Sequence, residues 1–145
     1  MDGRAMPDGG GLVALARTAL VEGWRQVRWD YWTSLEWRRL GIVAGTANEH
    51  LERLIRDLHR PGRHPTVRLV AGFHPEPYPH AHALVGLSRR LRARFIAAEE
   101  FAAWLQRWWP HGPVWAAPYD PTKRHPERGG ALAYLSRDPG SVVVG

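Results

Sequence analysis

His80-Ala81-His82 is the stretch of this chain most suited to chemistry. On a β-strand, residues i and i+2 leave the same face, so two imidazoles at that spacing converge and can share one metal ion. Two ligands do not make a tight site. A third is expected from the neighbouring strand, and the hairpin offers His74 or Glu76, with Asp30 and Glu36 further off on the first strand. A bare His-x-His is often a pair of ordinary surface residues. This pair follows the proline-rich Pro75-Glu76-Pro77-Tyr78-Pro79 and precedes the apolar Ala83-Leu84-Val85, which places it on a half-buried strand. Three imidazoles would favour Mn, Co or Zn over Mg, which prefers oxygen.

The second candidate is Gly129-Gly130-Ala131-Leu132-Ala133-Tyr134-Leu135-Ser136-Arg137. In a short helix, Tyr134 and Arg137 are three residues apart and share a face. The guanidinium can lower the phenol's pKa or stabilise a phosphate that the phenol attacks. The plain alternative is a core aromatic whose hydroxyl is satisfied locally.

The elements that would position these groups can be read from periodicity. Residues 1–11 are Gly-rich and read as a flexible tail, and 12–145 as a single domain. Leu12–Arg25 fits a helix. From Val27 to Trp37 the pattern alternates: Trp29, Tyr31, Thr33, Leu35 and Trp37 on one side, Arg28, Asp30, Ser34 and Glu36 on the other. Thr46 and Glu49 read as a capping box, ahead of a helix with Leu51, Leu54, Ile55 and Leu58 on one face. Val67–His74 and His80–Leu87 read as a hairpin. Phe101, Trp104, Leu105 and Trp108 mark another helix stopped by Pro110, Val114–Ala117 a short strand, and Ala131–Arg137 a final helix. The order β-α-β-β-α-β predicts an α+β, ferredoxin-like (RRM-like) antiparallel sheet, with an extra N-terminal helix and a C-terminal helix carrying the tyrosine.

The chain has 145 residues, 44% of them hydrophobic, with eight Trp, which argues against disorder. The absence of cysteine excludes disulfides, thiolate metal sites and Cys nucleophiles. No apolar run is long enough for a membrane helix and no export signal opens the chain, so a cytoplasmic location is expected. The formal charge is +6 and every basic residue except Lys123 is arginine. That balance, with a pI near 10.7, favours a polyanionic partner, nucleic acid before membrane.

Taken in order, three segments resemble the three motifs of HUH endonucleases, the rolling-circle replication initiators of plasmids and small phages. They are Trp32-Thr33-Ser34-Leu35-Glu36, Pro79-His80-Ala81-His82-Ala83-Leu84-Val85 and the Gly129–Arg137 run. The Trp-x-x-Gly within Trp108–Gly112, with Val114–Asp120 after it, is similar to the segment ahead of the family's third motif. The resemblance implies that Tyr134 attacks a phosphodiester of single-stranded DNA at an origin or hairpin, leaving a 5′-phosphotyrosine and a free 3′-hydroxyl. It implies that His80 and His82 hold Mn²⁺ or Mg²⁺, which polarises a non-bridging oxygen and aligns the phosphate. The family's third ligand falls near Gly72–His74, which favours His74 over Glu76. Arg137 stands where the family commonly has Lys, and Asp138 where a second tyrosine is frequent. The chain stops soon after the motif, so no helicase or primase domain is expected to follow, and a host helicase is an expected partner.

DNA contact is expected from Arg89, Arg90, Arg92 and Arg94, and from Lys123, Arg124 and Arg128, the two groups flanking the site. Trp108, Trp109 and Trp115 can stack bases if exposed. Two other readings share the plan: a single-tyrosine HUH transposase, and a basic RRM-like domain that binds nucleic acid without cutting it.

Overall fold

In a computed structural model, the described residues are 28–59, 67–120, 122 and 142–144. The expected N-terminal helix, the Gly129–Arg137 segment with Tyr134, and Lys123, Arg124 and Arg128 lie outside them.

The described chain is α+β. Strand β1 (Tyr31–Glu36) is followed by helix α1 (Ala44–Leu58) and the hairpin β2 (Val67–His74) and β3 (His80–Leu87). A one-turn helix α2 (Arg89–Arg92), helix α3 (Ala98–Gln106), β4 (Val114–Pro118) and β5 (Val142–Val144) complete the order. The strands form one sheet in the order β4-β1-β3-β2-β5, with each neighbouring pair antiparallel.

The alternation in β1 separates its two faces. Tyr31, Thr33 and Leu35 are buried while Trp32, Ser34 and Glu36 are half-buried. The buried parity joins Ala71 and Phe73 of β2 and Ala81, Ala83 and Val85 of β3 in the main core. Helix α1 adds Ala47, Leu51, Leu54 and Leu58, and α3 adds Phe101, Trp104 and Leu105. Tyr31 and Phe101 lie face to face across this interface, 4.2 Å between centroids. The described helices therefore load one side of the sheet, and His74, His80 and His82 fall on the other.

Some boundaries differ from expectation. Helix α1 starts upstream of the Thr46–Glu49 box: Val43 is the N-cap, without a side-chain cap, and Ala47 N–H bonds to the Val43 carbonyl at 2.9 Å. Burial of Ala47 in the core, together with that bond, draws the first turn back past Thr46. Helix α3 ends at Gln106, and Trp108 sits in the following turn, where its N–H bonds to Leu105 at 2.9 Å in a tightened i to i−3 pattern. Strand β5 was not expected. It pairs Val142 with Gly72 and Val144 with Val70. Among the described residues no helix is long and apolar enough to cross a membrane.

Candidate metal centre

The β2–β3 pairing sets His74 directly opposite His80, and Gly72 opposite His82. Across the other side of β3, Glu36 is the partner of His80 and Ser34 the partner of His82. Register partners share a face, so one patch of sheet presents three histidines, Glu36 and Ser34 on three adjacent strands.

The imidazoles are gathered. Ring centroids are 5.4 Å apart for His74 and His80, 5.5 Å for His74 and His82, and 4.9 Å for His80 and His82. Three histidines bound through nitrogens at about 2.0–2.1 Å place their ring centres roughly 5 Å apart around one ion. The backbone thus already supplies the spacing. The nitrogens themselves are not converged: among the described residues no group of three or more His, Asp or Glu stands ready to hold a metal ion.

The surroundings favour such a site. His80 Nδ1 lies 2.8 Å from the Tyr78 carbonyl oxygen, which can only accept, so Nδ1 is the donor there and Nε2 is the nitrogen that faces away from this bond. Trp32 stacks on His82 at 5.0 Å and 20°. The Tyr78 hydroxyl donates to Glu36 Oε1 at 3.2 Å. That hydrogen bond to a carboxylate raises the phenol's pKa above its ordinary value, with the Glu36 charge adding to the effect. Tyr78 is therefore held protonated, the opposite of what a nucleophilic tyrosine needs.

The other carboxylates named from sequence fare differently. Glu36 was expected further off, but β1 is the immediate neighbour of β3, which makes Glu36 a cross-strand neighbour of His80. Glu76 is exposed in the turn, two residues past the end of β2. Asp30 is committed elsewhere: it accepts from Leu87 N–H at 2.8 Å and from Arg92 Nε at 2.5 Å, with its side chain 6% exposed.

That latch includes one of the arginines expected at DNA. Arg92 is tied to Asp30 and to the Leu87 carbonyl at 2.8 Å, so its guanidinium serves the fold. Arg89, Arg90 and Arg94 are exposed, but they follow the far end of β3. Seven residues of strand separate His80 from Leu87, about 23 Å at 3.3 Å per residue, so this run does not flank the histidines. Arg38 and Arg39, exposed just beyond Glu36, stand nearer to them. The sequence reading missed these two because nothing local shows which strand ends lie side by side.

The Trp-x-x-Gly segment has a structural task at the same end of the sheet. Trp109 Nε1 donates to the Glu36 carbonyl at 2.9 Å, and a Cβ on Gly112 would collide with that same carbonyl oxygen. The Gln106 amide clasps the loop between them, donating to the Trp109 and Gly112 carbonyls and accepting from Val114 N–H. These residues pin the end of β1 and with it Glu36.

No family model, curated protein or solved structure matches this chain.

Proposed function

We propose that this domain nicks and rejoins single-stranded DNA through a tyrosine, in the manner of HUH endonucleases, and so starts rolling-circle replication of a plasmid or phage. The observation that carries the reading is the gathering of His74, His80 and His82 on the sheet face away from α1 and α3, at the ring spacing of a three-histidine ion site. The antiparallel α+β sheet, in the order β4-β1-β3-β2-β5, supports reading the domain as a variant of the ferredoxin-like, RRM-like plan.

His80 and His82 with His74 would hold the ion, and the Tyr78 carbonyl would keep His80 in the required tautomer. A bound Mn²⁺ or Mg²⁺ would supply Lewis-acid polarisation of a phosphate oxygen. Tyr134 would give its phenolic proton to water and attack phosphorus through the phenolate oxygen, and water would return a proton to the leaving oxygen. The bond to the 3′-oxygen breaks, and that oxygen takes up a proton to become the free 3′-hydroxyl. The phosphate stays on Tyr134 as a 5′-phosphotyrosine, and attack by a 3′-hydroxyl reverses the step. Arg137 would stabilise the phenolate or the phosphate charge.

The test is incubation with a pool of single-stranded oligonucleotides and Mn²⁺, followed by a denaturing gel. A covalent protein–DNA adduct that disappears with chelator and in Tyr134→Phe is the expected result. Salt-sensitive binding without an adduct would instead identify a non-cutting RRM-like domain.

A further inference from the structure

The sheet face that carries the histidines continues outward to β4. Trp115 pairs in register with Ser34, and Ser34 with His82, so all three occupy one row and one face. Two strand spacings of about 4.8 Å put the Trp115 backbone roughly 10 Å from that of His82. Val114 before it is buried in the core, whereas Trp115 is 63% exposed. The tryptophans considered for base stacking thus separate sharply: Trp109 is 1% exposed and Trp108 is half-buried against the core. An indole left open in the middle of a strand is unusual enough to ask what covers it.

We infer that Trp115 is a stacking platform for one unpaired base of a nucleic-acid strand whose backbone runs on to the histidine cluster. The inference rests on the nucleic-acid reading of that cluster and adds a subsite to it. Charge supports this occupant: the protein carries +6, and Arg38 and Arg39 are exposed at the end of β1, the strand between Trp115 and His82. The occupant is single-stranded, because a base inside a duplex has both faces covered and cannot lie on an indole. A second copy of the chain pairing along the edge of β4 is a poorer fit. That strand has five residues and ends in Pro118, features that discourage edge-to-edge pairing.

The experiment uses the full chain in chelator, so that neither metal nor cleavage enters. Fluorescence anisotropy follows binding of a labelled oligo-dT and of an abasic deoxyribose-phosphate strand of the same length. Trp115→Ala is expected to weaken oligo-dT binding about 5- to 150-fold, the range found when a stacking aromatic is cut to alanine. Trp115→Phe should recover most of the loss, and the abasic strand should bind all three proteins alike. Unchanged oligo-dT affinity in Trp115→Ala, or an equal loss on the abasic strand, overturns the platform while leaving the histidine site standing. Failure of the wild-type protein to bind either strand overturns the nucleic-acid reading together with it. A change of self-association in Trp115→Ala, read by sedimentation, would make the face a protein contact and also overturn the proposal.

Discussion

His74 and His80 are register partners across the β2–β3 hairpin, their rings 5.4 Å apart and the pair completed by His82 on the same face. A hairpin is a stiff way to hold two ligands, because the ladder that fixes their spacing is independent of anything bound. The third imidazole comes at no further structural cost, since it lies two residues along the same strand.

Titration of Mn²⁺, followed by loss of the free-ion EPR signal, should therefore reveal a site that depends on all three rings. His80→Ala, His82→Ala and His74→Ala are each expected to weaken it by at least about 10-fold. Glu76→Ala should leave it unchanged. A loss in Glu76→Ala that matched His74→Ala would move the third ligand into the turn.

Gly112→Ala places a methyl group on the Glu36 carbonyl oxygen and about 3.0 Å from the Arg38 nitrogen. Both obstacles are backbone, so no side chain can swing aside. Urea unfolding followed by circular dichroism should show a loss of about 2–3 kcal/mol, the upper part of the range for overpacking. Trp109→Phe, which removes the indole bond to the same carbonyl, should cost about 1–3 kcal/mol.

The Asp30–Arg92 latch predicts a separation of stability from binding. Asp30→Asn and Arg92→Ala each strip a charge-assisted bond from a partner that stays behind, for an expected loss of about 2–3 kcal/mol. Because the latch sits at the opposite end of β3, Mn²⁺ affinity of the folded variants should match the wild type. Arg38→Ala and Arg39→Ala should do the reverse, lowering affinity for single-stranded DNA and its salt dependence with little change in melting temperature.

A second histidine pair predicts pH-dependent stability. His50 and His111 stack in parallel with centroids 3.8 Å apart, beside Trp37, whose indole N–H donates to His50 Nδ1 at 2.9 Å. Burial is the main cause that lowers the pKa of each. For His50, Glu49 opposes the shift and Arg53 adds to it, and for His111 both His50 and Arg53 add to it. Folded-state values below the unfolded ones mean that the unfolded chain binds more protons as pH falls below about 6.5. The stability tied to this pair is complete above that pH and is lost as pH drops through the folded-state values. Thermal melts between about pH 8 and pH 5 should show the melting temperature falling on the acid side, with the fall reduced in His111→Phe. An identical acid-side fall in the variant would assign it to other groups.

Much of the frame was legible in the order of residues. The parity of Trp29, Tyr31, Thr33, Leu35 and Trp37 marked the buried face, and all five are buried, although β1 itself is shorter than the expected Val27–Trp37 and spans Tyr31–Glu36. The hairpin bounds Val67–His74 and His80–Leu87 followed from two apolar segments on either side of three prolines. Period and turn chemistry are local properties, carried by neighbours along the chain, so a single sequence contains them. His80 and His82 share a face for the same reason.

What lay beyond the sequence was adjacency. That β1 borders β3, and so brings Glu36 to His80, depends on how the whole sheet is ordered. The same holds for Arg92, one of four arginines in a basic run, which is drawn to a carboxylate 62 positions earlier because Asp30 is otherwise a nearly buried charge. Trp109 and Trp115 are both aromatic residues near a strand, yet one is sealed under the end of β1 and the other stands open. Composition and periodicity determined which residues could do chemistry. The tertiary structure decided which of them meet, because charges, rings and peptide groups far apart in the chain find their partners only when packing sets the strands in order.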